Sequence, residues 1–215
     1  MIRERPILFN GAMVRAILAG AKTQTRRAIK PQPLKASFLD AQGAYQPRFD
    51  EEGRLLVATF KGVNLLTCPF GQPGDRLWVR ESFTDLRGTG IEHRPDPSGP
   101  IQRYAYSADT LPGSHGDMAR KDFGIKWRPS IHMPRDACRL VLEVTDVRVE
   151  RLQAISEADA LAEGIEDLNG RFTFNGGMHE SLTPRLSFQT LWTSTGGDWA
   201  GNPWVWVVSF KVVTP

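Results

Sequence analysis

The chain has 215 residues, 40% of them hydrophobic and 24% charged. Those are ordinary figures for a globular protein able to bury a sizeable core, and one domain spanning residues 1–215 is expected. The formal net charge of +3 and the pI of about 9.0 tolerate an anionic partner without requiring one. No apolar run approaches the roughly 20 residues that cross a bilayer, and Met1-Ile2-Arg3-Glu4-Arg5-Pro6 lacks the apolar stretch of a secretory leader. Cys68 and Cys138 alone imply no disulfide framework. A cytoplasmic protein that does not engage membrane is the expectation, and with His93, His115, His132 and His179 scattered, no metal or other cofactor is expected.

In chain order, Leu8-Phe9 reads as a short strand. Asn10 is a natural N-cap for a helix with Met13, Ala16 and Ile17 on one face, stopped by Gly20. A basic turn follows, with Lys22, Arg26, Arg27 and Lys30. Arg54 to Phe60 predicts a strand ending at a Lys61-Gly62 turn. Pro73-Gly74-Asp75 leads into Arg76 to Glu81, where Leu77 and Val79 alternate with Arg76, Trp78 and Arg80 as in a half-buried strand.

Asp85 to Ser130 reads as a long loop carrying one strand, Arg103 to Tyr106; loops of that length are functional or inserted. Arg139 to Val149 is the strongest strand signal. Its apolar alternation slips at Thr145-Asp146, which predicts a bulge. Ser156 caps a helix containing Asp159 that ends near Gly164. Thr183-Pro184 opens another helix, with Leu186, Leu191 and Trp192 inward and Gly196-Gly197 at its end. Trp204 to Val213 is a final strand apolar enough to be covered on both faces.

The residues that invite chemistry are the cations after the first helix. Arginine offers a planar fork for phosphate, and lysine is a point charge whose pKa falls on burial. Taken alone, the cluster reads better as a solvated turn. A second group, Lys126-Trp127-Arg128-Pro129-Ser130-Ile131-His132-Met133-Pro134-Arg135, joins cations to an aromatic ring and could stack bases and hold phosphates, or form a rigid crossing loop. Trp78, Trp192, Trp199, Trp204 and Trp206 read as core.

Gly20-Ala21-Lys22-Thr23-Gln24-Thr25-Arg26-Arg27 resembles the G-x-K-x-x-x-x-R signature of the ASCH family, and it stands directly after the first helix, as it does there. The later order is similar too: the Gly74-Asp75 turn into a strand, the long strand from Leu140, the helix from Ile155 to Gly164, and an aromatic-rich terminal strand. The pattern looks like the longer ASCH-like proteins carried by phages and prophages, with 34–72 and 85–130 as additions.

The resemblance implies an α+β fold with a PUA-like, bent and mostly antiparallel sheet or barrel and flanking helices. It implies binding of RNA, modified DNA or a free nucleoside in a basic cleft, where Arg27 fills the signature's arginine and the residue chemistry adds Arg26, Lys126, Trp127, Arg128 and Arg135 as contacts. One branch of the family hydrolyses the acyl amide of N4-acetylcytidine, and the resemblance places its three roles on Lys22, Thr25 and Glu163. A threonine nucleophile needs an adjacent base, and a desolvated lysine beside two arginines is suited to that role. Hydrolysis requires a small closed pocket with Lys22 near Thr25; binding requires a cleft open to a strand. A ribonuclease is the weakest of the three readings.

Overall fold

The computed structural model describes residues 2–33, 49–51, 54–59, 62–96 and 98–213. Among them a five-stranded sheet and four α-helices build an α+β fold. The sheet strands are β1 (Glu4–Leu8), β2 (Gln24–Ala28), β5 (Arg76–Arg80), β8 (Val141–Arg151) and β11 (Trp204–Val213), ordered β1-β5-β8-β11-β2. The pair β1–β5 is parallel and the others are antiparallel. The sheet is therefore mixed and open, with β1 and β2 as its outer strands, and the expected closure into a barrel does not occur.

The interior strand β11, between β8 and β2, buries Trp204 through Val208, and Phe210, because both its faces are covered. On one face Trp206, Val208 and Phe210 join Phe9, Val14, Ile17, Leu77, Leu142 and Val144 in the main core, under helix α1 (Gly11–Leu18). On the other, Val205 and Val207 meet Leu152, Ala160, Phe188 and Leu191, where α3 (Glu157–Ala162) and α4 (Pro184–Ser194) pack. The slip in β8 is a bulge: Asp146 pairs Ser209 and Val144 pairs Phe210, leaving Thr145 extra.

Capping residues act as their types predict. The side chains of Asn10, Ser156 and Thr183 accept from the N–H of Met13, Asp159 and Leu186 at 2.9, 3.0 and 3.2 Å, each satisfying an otherwise orphaned helix donor. Leu186 was expected to face inward but is exposed, and Phe188 and Leu191 carry that contact.

The basic turn is in fact a strand, β2, hydrogen-bonded to β11. The stretch expected around Arg54 is a hairpin of β3 (Leu55–Thr59) and β4 (Gly62–Leu66); residues 34–48 of the first proposed addition, and residues 60–61, fall outside the described residues. The strand expected near Arg103 is β7 (Tyr104–Tyr106), which pairs with β6 (Phe83–Asp85) at the start of the second proposed addition, and that addition also holds the helix α2 (His115–Asp122). Arg139 ties this segment to the sheet. Its guanidinium donates to Glu81 at 2.8 and 3.0 Å and to Asp109 at 2.6 and 2.9 Å, and lies 3.9 Å from the Tyr106 ring centroid. Glu81 is fully buried, and burial pushes its carboxyl above the usual range although Arg139 opposes the shift.

Candidate functional site

Helix α1 delivers the signature residues. In its last turn the Ala16 carbonyl accepts from the N–H of both Ala21 and Lys22 at 2.9 and 3.0 Å, and the chain then runs into β2. From the far end of the sequence, α3 ends at Glu163, which makes a β-bridge with Lys22, while Thr23 N–H donates to Ala162 C=O at 2.9 Å. Gly164 permits that approach. Its φ is +92°, and a Cβ there would stand 2.9 Å from Ala16 Cβ and 3.0 Å from Lys22 Cβ, so only glycine fits.

Lys22 and Glu163 meet in the interior. Lys22 Nζ donates to Glu163 Oε2 at 2.8 Å, to Glu163 C=O at 2.7 Å and to Gln24 C=O at 2.8 Å. All three ammonium hydrogens are thus placed. Burial holds the Lys22 pKa below its ordinary value, Glu163 opposes this, and Arg27 and Arg26 add to it. Glu163 is further held by Arg26, whose Nη1 lies 3.3 Å from Oε1. The other bonds of Arg26 go to Gln24 Oε1 at 2.6 Å, Glu150 Oε2 at 2.9 Å and Asp159 Oδ2 at 3.2 Å. Arg148 joins the same carboxylates, at 2.6 Å from Glu150 and 3.0 Å from Asp159. Arg26 was expected to touch nucleic acid, but its side chain is fully buried among acids.

Beside this network lies a cleft of about 1320 Å³, larger than the ~300–1,000 Å³ of most small-molecule pockets and so larger than the single-base pocket that hydrolysis requires. Thr25, Arg26, Arg27, Ala28 and Glu163 line it, with the half-buried Phe70 and Trp192 supplying aromatic surface and Phe9, Phe188 and Trp206 almost wholly buried behind it. Trp206 is core on one side and cleft wall on the other, and Trp192, half-buried, belongs to the wall as much as to the core.

Arg27 behaves unlike its neighbour. The half-buried guanidinium lies 5.3 Å from the Phe9 ring centroid and 6.0 Å from that of Phe70, and Nη2 donates to Leu8 C=O at 2.7 Å. Among the described residues no carboxylate lies within ion-pairing distance of it, and its Nε has no hydrogen-bond partner. Burial lowers its pKa, and Glu163 opposes the shift only through space.

The structure therefore brings Lys22, Glu163 and Arg26 into bonded contact and puts Thr25 and Arg27 on the adjoining cleft wall. It does not bring in the second cationic group. Lys126 and Arg128 line a different hollow of about 510 Å³, and Arg128 exchanges main-chain bonds with Phe83 at 2.8 and 3.2 Å. The Trp127 ring lies 5.3 Å from the Arg120 guanidinium. Arg135 pairs with Glu4 at 3.2 Å and lies 5.9 Å from the Trp78 ring. Of that segment, Ser130 reaches the large cleft.

Sequence reading missed Gln24, Glu150 and Arg148, and assigned Asp159 only to a helix cap. Their signal lies in the register: Arg26 and Arg148 sit opposite Val207 on either side of β11, with Gln24 and Glu150 two residues along their strands on the same face. Among the described residues no three His, Cys, Asp or Glu side chains converge as a metal site needs, and no helix is long and apolar enough to cross a membrane. Comparison with family models, curated proteins and solved structures finds no match.

Proposed function

We propose that this chain is an ASCH-type, PUA-like protein whose cleft binds RNA, DNA carrying a modified base, or a nucleotide derived from either. The observation that carries this reading is Arg27, a half-buried cation on the cleft wall with no carboxylate partner among the described residues. Buried charges are normally compensated, and an anionic ligand would complete this one. Phosphate suits the guanidinium fork, and the aromatic lining suits bases, which stack on any such surface. The size of the cleft supports a strand over an isolated nucleoside.

A salt titration of single-stranded RNA and DNA binding tests the reading. Arg27→Ala should weaken affinity about tenfold or more and reduce the slope of log K against log salt by about 0.7. Lys126→Ala, in the other hollow, should change neither. Equal affinity and slope for Arg27→Ala and the unaltered protein would defeat the proposal.

A second reading, removal of the acyl group from an N4-acetylcytidine-type nucleoside, is supported by Thr25 and Glu163 lining one cleft with Lys22 directly behind. It requires Lys22 to lose one of its ammonium protons to solvent, and with it one of its three hydrogen bonds, before the freed lone pair can take the threonine proton. In that case Thr25→Ala should abolish release of acetate from N4-acetylcytidine, read by mass change. No deacylation at high concentrations of the unaltered protein would remove this second reading and leave the binding reading standing.

A further inference from the structure

The antiparallel register fixes where each main-chain group of β2 points. Ile29 N–H donates to Trp204 C=O at 3.0 Å and Phe210 N–H to Thr23 C=O at 2.8 Å, so the bonded positions are the odd-numbered ones, opposite Trp204, Trp206, Val208 and Phe210. In such a ladder the intervening residues turn both N–H and C=O the other way. Gln24, Arg26 and Ala28 therefore face the edge of β2 that, among the described residues, has no neighbouring strand.

That edge is closed at one end, where Lys22 Nζ occupies Gln24 C=O at 2.8 Å. Past Ala28 the ladder ends at Gln32, which bonds the carbonyls of Ile29 and Trp204 at 2.7 and 3.0 Å. Between these points the N–H and C=O of Arg26 and Ala28 find no partner among the described residues. Both residues line the cleft. Arg26 keeps 3% of its surface although its side chain keeps none, so what it presents there is main chain.

Main-chain groups lie in the plane of a sheet, with side-chain layers above and below. Phe9 and Phe70 belong to one layer, and Phe188 and Trp192 to the other. The cleft is thus a slot whose floor is a row of donors and acceptors and whose walls present the half-buried rings of Phe70 on one side and Trp192 on the other, with Phe9 and Phe188 buried behind them. We propose that the open main chain of β2 reads the hydrogen-bonding edge of a planar heterocycle, a base with adjacent donor and acceptor atoms, held between these walls with its phosphate towards Arg27. This rests on the nucleic-acid reading and assigns base recognition to Arg26 and Ala28. A peptide strand would gain little there, since the open stretch covers only about 7 Å of strand and the unpaired Arg27 favours an anion.

The test uses Ala28→Pro, which removes one edge donor. The lost N–H points away from β11, so the ladder keeps its bonds, and proline is tolerated on edge strands. Ala28→Val keeps the donor and is the control. Affinity for a labelled single-stranded RNA heptamer should fall about tenfold in Ala28→Pro and by clearly less in Ala28→Val, which retains the donor. The salt slope should stay unchanged in both, because no charge is removed; this separates the effect from that of Arg27→Ala. In amide NMR spectra of the unaltered protein, the Arg26 and Ala28 signals should shift on adding the heptamer and on adding free cytosine or uracil, a readout independent of how Ala28→Pro folds.

RNA binding that moves neither amide and is equal in Ala28→Pro overturns the inference and leaves the nucleic-acid reading standing. If no RNA or DNA binds, that reading falls and the free bases decide: shifts at both amides keep the inference, and their absence overturns it. Shifts produced by an extended Thr-Val repeat peptide and not by bases would also overturn it, in favour of strand addition.

Discussion

Glu163→Ala is expected to lower the stability of the fold by about 3–5 kcal/mol, the usual cost of removing one member of a buried ion pair. Two fully buried cations depend on this carboxylate, Lys22 on Oε2 and Arg26 on Oε1. Arg26 retains Glu150 and Asp159, whereas Lys22 is left with main-chain carbonyls alone. The loss therefore concentrates on Lys22, and it carries a pH signature. Burial, Arg27 and Arg26 already hold the Lys22 pKa down, and Glu163 is what opposes them; its removal drives the value further below the ~10.4 of an unfolded chain.

A lysine with a depressed folded-state pKa binds its proton more weakly folded than unfolded. Stability is then lost as pH falls through the folded value and regained as pH rises towards the unfolded one. The deficit of Glu163→Ala should shrink between pH 7 and pH 10 in urea unfolding of variant and parent. A deficit that does not vary with pH would mean that the Lys22 charge is not its source. Lys22→Met combined with Glu163→Leu should recover most of the loss, because apolar replacement of a whole buried pair is often neutral. For the hydrolase reading, Thr25 is consequently the clean variant and Glu163 is not.

Arg139→Ala should have the second largest effect, about 3 kcal/mol, at the low end of the range for buried pairs because the arginine is partly solvated. Glu81 would lose its bidentate partner while remaining buried beside Asp109. The sign is opposite to that at Lys22. The Glu81 pKa is raised by burial, so the folded state holds its proton more tightly than the unfolded chain; the contribution is present below about 4.3 and is lost as pH rises through the raised value. Without Arg139 that value climbs further, and the deficit should be smaller at pH 5 than at pH 8. Thermal unfolding at the two pH values measures it; a larger deficit at pH 5 would contradict the assignment.

Elements with a regular apolar period and a capping residue were legible from sequence: α1, β5, β8 with its bulge at Thr145, α3, α4 and β11. β2 was not. Gln24-Thr25-Arg26-Arg27-Ala28 has no apolar alternation, because the groups that neutralise Arg26 come from Glu150, Asp159 and Glu163, more than a hundred residues away. Short-range pattern cannot announce a buried charge whose compensation is tertiary. α2 escaped for a related reason: His115–Asp122 carries almost no apolar face, and Asp117 holds it together by pairing with Arg120 and Lys121 at 2.7 and 2.8 Å. At the site, the signature located Lys22 and Arg27, and the resemblance located Glu163. The division of labour between Arg26 and Arg27 depends on which face of β2 each occupies, and that became readable only with the register to β11.

The place of β11 in the sheet also sets an order of events during synthesis. β2 is made early, yet its ladder partner is residues 204–213, and the α3 end that neutralises Lys22 lies 141 residues beyond it. Until Glu163 has been made, Lys22 and Arg26 lack the carboxylate they share, and until residues 204–213 follow, β8 and β2 have nothing between them. The cleft is therefore completed by the final tenth of this sequence. A nascent chain stalled before residue 204 should retain α1 signals in hydrogen exchange while showing no protection at Thr25 or Arg27.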